Sequence, residues 1–326
     1  MTRMRLLILS SVLLVAACGG GGSSPQAVVP PPADRPASVE RDVQPVATNP
    51  SVDTSLEPHV AINPSADVAP ANKLFVFLPG TDGIPDMYRL VLRAGASRGF
   101  HALGLNYPNP LPVGILCINQ DENCFWNVRR EIITGVDHSD LVDVDEANAI
   151  AGRLADTIDY LHREDPDEGW DQFLDNGAVD WSKVVVAGHS QGGGHAGIMA
   201  KLYSMSRVVY FASPADWDSQ SDAPAEWTSR PNETPASRQF GFTHVDDTLV
   251  PYNQLLAIWD SMGLAGTPVS IDSTSAPFNG SHLLTTRADP SNGSPTHSAT
   301  VRDAGTPLDD DGAPLFESVW DYLCFE

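Results

Sequence analysis

The residues most able to do chemistry form the motif Gly188-His189-Ser190-Gln191-Gly192, which matches the pattern G-x-S-x-G. A valine-rich run, residues 184–187, precedes the motif, and a segment rich in glycine and alanine follows it. A strand, a sharp turn and a helix in this order expose a serine hydroxyl on the turn. The N-terminus of the helix favours the negative charge that develops when this hydroxyl attacks a carbonyl. The motif therefore predicts nucleophilic catalysis by Ser190.

Strand-like and helix-like patterns alternate along the chain on both sides of this motif. Apolar runs typical of buried strands cover residues 74–78, 102–105, 184–187, 207–212, 239–243 and 282–286. Helical patterns cover residues 86–96, 145–163, 252–262 and 315–323. This alternation predicts an α/β fold over residues 51–326, with a mainly parallel sheet and helices on both of its faces.

Two long segments interrupt the alternation. Residues 108–144 and 214–237 are rich in proline, aspartate, asparagine and tryptophan. Loops of this length in a compact domain are often functional, so we expect cap-like loops at the rim of an active site. Surface decoration without a function is the alternative.

The motif and its surroundings resemble the α/β-hydrolase family over about residues 74–325. The catalytic residues of that family follow the chain order serine, acid, histidine. The resemblance implies an α/β-hydrolase fold and a Ser-His-Asp triad, in which a histidine takes the proton of Ser190 and an acid orients that histidine.

The acid implied by the resemblance is Asp247. Residues 239–251 resemble the family's penultimate core strand and the loop after it, where an aspartate lies shortly before a Val-Pro pair. The D-x-x-V-P spacing selects Asp247, which would accept the Nδ1 proton of the histidine. Asp246 and Asp216 are the alternatives.

The base implied by the resemblance is His297, since the family's histidine lies in a loop after the last core strand. His282 opens the strand-like run 282–286 and is the alternative. His189 and His195 are too near Ser190 in sequence to be the distant third member. We expect His189 to pack beside the turn and His195 to lie on the helix that follows.

Backbone N–H groups must face the oxygen that becomes negative in the transition state. The resemblance implies the amide of Gln191, the residue after the nucleophile, and that of Thr81, in the loop after residues 74–78. Gly80 would allow the sharp turn there. Together these parts imply hydrolysis of a carboxylic ester, on a small-molecule or lipid-like acyl substrate, through an acyl-enzyme.

Several other functions share this pattern. Peptidases, thioesterases and acyltransferases use the same chemistry, and a non-catalytic envelope binding protein on the same fold is an alternative from another class. The resemblance implies no organic cofactor and no metal. No second Cys/His pair lies at the spacing that zinc ligands need.

The beginning of the chain is typical of an exported lipoprotein. A short basic start and an apolar run, residues 6–17, precede Cys18, and this arrangement resembles the bacterial lipobox. We expect a signal peptide over residues 1–17, a lipid anchor on Cys18 and a flexible Gly/Ser/Pro-rich tether over residues 18–50. Gly19 stands where an aspartate would retain the protein at the inner membrane, which favours the outer membrane.

The net charge and the cysteines limit which partners and which compartment we expect. The net charge of −23 repels phosphate backbones, so we expect no nucleic-acid partner. An exported protein can form disulfides, and Cys117 and Cys124 lie close together in a loop-like stretch. We predict that they pair, and that Cys324 remains a buried free thiol.

Overall fold

Nine strands form one central sheet in the computed structural model, which describes residues 39–264 and 266–326. In chain order they are β1 (Val39–Val43), β2 (His59–Asn63), β3 (Leu74–Leu78), β4 (His101–Gly104), β5 (Val184–His189), β6 (Arg207–Phe211), β7 (Gln239–His244), β8 (Val269–Ser270) and β9 (Leu283–Thr286). Across the sheet their order is β1-β2-β4-β3-β5-β6-β7-β9-β8. The β1–β2 and β2–β4 pairs are antiparallel and the remaining pairs are parallel. The predicted α/β fold with a mainly parallel sheet is confirmed.

Helices cover both faces of the sheet. The α-helices are α1 (Pro45–Thr48), α2 (Arg89–Ser97), α3 (Val113–Leu116), α4 (Cys124–Thr134), α5 (Ile150–Glu164), α6 (Gln191–Leu202), α7 (Tyr252–Ser261) and α8 (Glu317–Trp320). In β3, Val76 faces the core under α4 to α7, while Phe77 faces the core under α2 and α8. Burial on both faces explains why the central strands are apolar at every position. None of these described helices has both the length and the apolar character needed to cross a bilayer.

The tether predicted over residues 18–50 is wrong in its last part. Strand β1 pairs with β2, and Arg41 of β1 forms an ion pair with the buried Glu168. A short edge strand held by ion pairs carries too few apolar residues to stand out from a proline-rich stretch. The predicted signal peptide, residues 1–17, and the lipidated Cys18 lie outside the described residues.

The loop predicted over residues 108–144 is also wrong in part, because it contains α3 and α4. Phe125, Val128 and Ile132 follow helical spacing on α4 and are buried, and Gly135 ends the helix in the left-handed conformation. Conversely, the predicted helix over residues 315–323 is only the short α8, continued by a π-helical turn at Asp321–Phe325. Residues 214–237 contain only short elements, such as the 3₁₀ helix Glu226–Ser229.

A disulfide joins Cys117, which follows α3, to Cys124, which begins α4. The predicted pairing is confirmed, and it closes the turn between these two helices. Cys324 is free and buried, as predicted.

The loops that matter for function leave the sheet at one edge. Strands β3, β5, β7 and β9 are parallel, so the segments after them start at the same, carboxyl edge. The turn after β5 is especially tight, because a Cβ added to Gly192 would lie 2.0 Å from the carbonyl oxygen of Leu78. Close contact between α6 and β3 therefore requires a glycine at this position.

We predict that Gly192→Ala lowers the free energy of unfolding by about 3 kcal/mol or more, because backbone cannot move aside as a flexible side chain can. The matched control is Gly114→Ala on α3, where an added Cβ meets no atom within 4 Å. The control should change stability by less than about 1 kcal/mol. Urea denaturation of both variants measures the difference. Equal losses would contradict the packing described for α6.

Candidate active site

Ser190 occupies a strained turn between β5 and α6. Its backbone angles are φ 53° and ψ −117°, a region that residues other than glycine rarely adopt. Two hydrogen bonds fix the turn: the Ser190 N–H donates to the carbonyl of Phe211 at 3.0 Å, and the Ser190 carbonyl accepts from Gly194 at 3.2 Å. The strain is therefore held by the sheet on one side and by the helix on the other.

His297 and Asp247 form a buried hydrogen-bonded pair. Nδ1 of His297 lies 2.8 Å from Oδ2 of Asp247, and the side chains are 6% and 0% exposed. The other carboxylate oxygen accepts from the amides of Leu249 and Val250 at 2.8 and 2.9 Å. Burial raises the pKa of Asp247, but the hydrogen bond from His297 and those two amides outweigh it, so the pKa lies below its usual value. The carboxylate stays ionised and accepts the Nδ1 proton.

This pairing leaves Nε2 of His297 as the basic nitrogen of the neutral ring. Nε2 is buried and has no hydrogen-bond partner among the described residues. His297 and Ser190 line the same cavity, whose volume is about 400 Å³. The Ser190 hydroxyl forms no direct hydrogen bond with the ring in the described part of the chain, a separation often seen when no substrate is bound.

The loop after β3 approaches Ser190 closely. A Cβ added to Gly80 would lie 3.2 Å from Cβ of Ser190. The Thr81 hydroxyl donates to Oε1 of Gln191 at 3.0 Å, which ties this loop to the start of α6. Among the described residues, the backbone N–H groups of Thr81 and Gln191 have no acceptor. Thr81 lines the cavity, whereas Gln191, which follows Ser190 in the chain, does not.

Two buried side chains brace the loop that carries Thr81. The Asn109 amide donates to the carbonyls of Gly80 and Gly83 at 2.8 and 2.9 Å. The Tyr107 hydroxyl donates to the carbonyl of Pro79 at 2.7 Å. These hydrogen bonds satisfy the carbonyl groups of the loop and hold its backbone in one conformation.

His189 connects this loop to His297. Its Nε2 lies 2.9 Å from the carbonyl oxygen of His297, and its Nδ1 lies 3.0 Å from the Tyr88 hydroxyl. A carbonyl can only accept, so Nε2 carries the proton and Nδ1 accepts from Tyr88. The Tyr88 oxygen in turn accepts from the Gly80 N–H at 3.3 Å. Two side chains thus link the backbones of Gly80 and His297.

The imidazole ring of His189, which makes this link, is neutral. Burial lowers the pKa of His189 to about 3, assisted by the neighbouring His297. Burial also raises the pKa of Tyr88 to about 12. Neither group changes its charge near neutral pH, so the hydrogen bonds between them persist there.

His282, the alternative base, lies at the opposite edge of the sheet. It precedes β9, its Nδ1 lies 3.1 Å from the carbonyl oxygen of Gln239 at the start of β7, and its ring stacks on Phe240. Ser190 follows the carboxyl end of β5. The structure therefore does not bring His282 to Ser190.

The alternative acids have other partners. Asp246 is 64% exposed and pairs with Arg287 at 2.6 Å. Asp216 is buried, accepts two hydrogen bonds from Arg129 at 2.7 and 2.5 Å, and accepts one from the Trp227 indole at 2.8 Å. Of the three aspartates considered, Asp247 is the one that bonds to His297.

The Arg129–Asp216 pair also supports the turn at Ser190. Nη1 of Arg129 donates to the carbonyl of Gln191 at 3.1 Å. Arg129 is 2% exposed and Asp216 is 1% exposed, so both charges are buried and mutually compensated. The first residue of α6 is therefore held in place by a buried ion pair.

The supporting roles of Tyr88, Asn109 and Arg129 could not be predicted from the sequence. They lie in separate segments that carry no motif, and only the folded chain brings them together. His189 packs beside the turn as expected. His195 lies on α6, where it is buried and neither ring nitrogen has a partner among the described residues.

No known protein-family model matches the chain, and no curated protein matches its sequence significantly. Among the residues that the structure describes, no group of three or more His, Cys, Asp or Glu side chains could hold a metal ion. The functional assignment therefore depends on the geometry of this cavity.

We predict that the buried neutral His189 makes stability depend on pH. Its pKa falls from 6.5 to about 3 on folding, so its contribution is fully present above pH 6.5 and is lost as the pH falls toward 3. Within this window the proton taken up by the unfolded chain lowers the free energy of unfolding by about 1.4 kcal/mol per pH unit.

The variant His189→Gln should lose this part of the slope, as measured by urea denaturation between pH 6.5 and 4.5. A slope remains in the variant, because His59 is also buried with its pKa lowered to about 3. Identical slopes for the variant and the wild type would contradict a neutral His189.

Proposed function

We propose that this protein is a serine hydrolase that cleaves carboxylic esters with Ser190, His297 and Asp247. The observation that carries the proposal is the unpartnered Nε2 of His297, which shares one cavity with Ser190 while Nδ1 is bound by Asp247. A hydroxyl needs a base to become nucleophilic, and this nitrogen has the free lone pair that the role requires. The mainly parallel sheet and the strained serine turn favour the α/β-hydrolase fold.

The reaction would proceed in two halves. Nε2 of His297 takes the proton of Ser190 as Oγ attacks the ester carbonyl carbon. The carbonyl oxygen becomes negative and accepts hydrogen bonds from the free amides of Thr81 and Gln191. His297 then gives the proton to the departing alcohol, which leaves an acyl group on Ser190.

Water completes the cycle by the same route. His297 takes a proton from water, the resulting hydroxide attacks the acyl carbonyl, and Ser190 leaves with the proton returned by Nε2. The imidazolium that forms in each half is stabilised by the ionised Asp247 2.8 Å away. The residues named here can carry out the whole cycle without an oxidant or a reductant.

The proposed setting is the bacterial cell envelope, with the enzyme anchored by a lipid on Cys18 and exposed at the outer membrane. Its support is the sequence alone, in the basic start, the apolar run and the Cys-Gly junction. The proposed substrates are small acyl esters. The cavity volume of about 400 Å³ lies in the range of ordinary small-molecule sites.

Replacing the nucleophile tests the proposal. We expect Ser190→Ala to lower kcat/KM on short-chain nitrophenyl esters by at least about 1,000-fold, with an unchanged unfolding transition. The control Ser182→Ala removes a hydroxyl at an exposed position and should retain activity. Activity that survives in Ser190→Ala would refute the assignment.

The link through Tyr88 predicts a smaller effect. Tyr88→Phe removes the hydroxyl between Gly80 and His189, so the loop that carries Thr81 loses one constraint. We expect kcat to fall about tenfold with little change in KM, since this loop acts on the transition state. The control Tyr322→Phe removes a hydroxyl that donates to Ser281 at 2.9 Å, and Tyr322 does not line the cavity. A change in KM without a fall in kcat would contradict this link, and so would equal effects in the two variants.

A further inference from the structure

Arg302 lines the same cavity as Ser190 and has few partners of its own. One guanidinium nitrogen, Nη2, contacts the sulfur of Met87 at 3.1 Å. Nε is buried and has no hydrogen-bond partner among the described residues. Nη1 also makes no hydrogen bond there and is not among the buried atoms, so it is accessible to solvent. An arginine with one free and accessible nitrogen therefore borders the proposed active site.

This cation has no carboxylate partner. Arg302 forms no ion pair within 4 Å in the described chain, although the protein has 42 acidic and only 19 basic residues. The neighbouring Asp303 is directed elsewhere, because its carboxylate accepts from the amides of Arg89 and Leu90 at 2.9 and 3.1 Å. The accessible Nη1 of Arg302 is therefore available to an anionic group that enters the cavity.

The remaining charges at the cavity define what this partner can be. Asp247 is buried and bound to His297, and the neutral His189 and Tyr88 add no charge. Asp82 also lines the cavity but is exposed. Arg302 is the one arginine or lysine among the described residues that line the cavity, so a negatively charged ligand group would bind next to it.

We propose that the ester substrate carries a carboxylate, which Arg302 binds while Ser190 attacks the ester. The accessible Nη1 can donate a charge-assisted hydrogen bond to a carboxylate oxygen, and the positive charge of the guanidinium attracts that group. This inference rests on the proposed ester hydrolysis and adds a substrate class to it. Arg302 acts here as a specificity residue and takes no part in the proton transfers.

The overall charge of −23 does not exclude an anionic substrate. Surface charges are screened over about 8 Å at physiological ionic strength, so the nearest cation dominates inside a cavity. The overall charge should instead slow the approach of the anion, and added salt should relieve that effect.

Paired substrates test the proposal. One pair differs in the acyl part: mono-p-nitrophenyl adipate against p-nitrophenyl hexanoate, which match in chain length. The other differs in the alcohol part: 4-acetoxybenzoate against its methyl ester. The quantity measured is the ratio of kcat/KM for the anionic ester to that for the neutral ester, after subtraction of spontaneous hydrolysis.

We expect the wild type to favour the anionic ester in at least one pair, and Arg302→Gln to lower that ratio about tenfold, mainly through KM. Arg302→Lys, which keeps the charge but not the position of Nη1, should retain part of the preference. The control Arg163→Gln makes the same change in net charge at a position 58% exposed on α5, and should leave the ratio unchanged.

The experiment distinguishes a failure of the proposed function from a failure of the carboxylate inference. If neither member of a pair is hydrolysed in a Ser190-dependent way, the proposed function itself is wrong. If neutral esters are hydrolysed through Ser190 but neither ratio depends on Arg302, the carboxylate inference alone is overturned. An equal loss of preference in Arg163→Gln would also overturn it, since the effect would then come from net charge.

Discussion

The hydrogen bond between Asp247 and His297 is the interaction on which the proposed chemistry depends. It spans 2.8 Å in a buried setting, and it assigns the ring proton to Nδ1. The lone pair is thereby left on Nε2, on the side of the cavity that contains Ser190. Without an ionised acceptor at Nδ1 the ring could carry its proton on either nitrogen, and the imidazolium would lose its counter-charge.

The rest of the site holds this pair in place relative to Ser190, the proposed nucleophile. Thr296 donates to the carbonyl of Asp246 at 2.7 Å, so the segments that carry His297 and Asp247 are joined beside the hydrogen bond between them. His189 joins the base segment to Tyr88, and Tyr88 joins it to the loop that carries Thr81. The linking groups are uncharged, and their pKa values are moved away from neutral pH by burial. The proposed catalytic groups thus share one hydrogen-bonded framework.

Features that depend on neighbouring residues could be predicted from the sequence better than contacts between distant residues. The G-x-S-x-G motif and the apolar runs depend on neighbouring residues, so the α/β fold and the turn at Ser190 could be predicted from the sequence. Parallel strands end at one edge, which brings the loops after β5, β7 and β9 together. The D-x-x-V-P spacing favoured Asp247 over Asp246, but only the folded chain shows that Asp247 is buried against His297 while Asp246 is exposed. The free guanidinium of Arg302 likewise becomes visible only when all its neighbours are known.

The most direct measurement is the reaction of the purified protein with a fluorophosphonate, followed by mass spectrometry of its peptides. A phosphonylated serine requires an activated hydroxyl and donors for the new oxyanion, and it does not require knowledge of the substrate. The account predicts one adduct, on Ser190, and a much slower reaction in His297→Gln. Absence of an adduct on Ser190, or labelling that is unaffected by loss of His297, would contradict it and favour a binding protein.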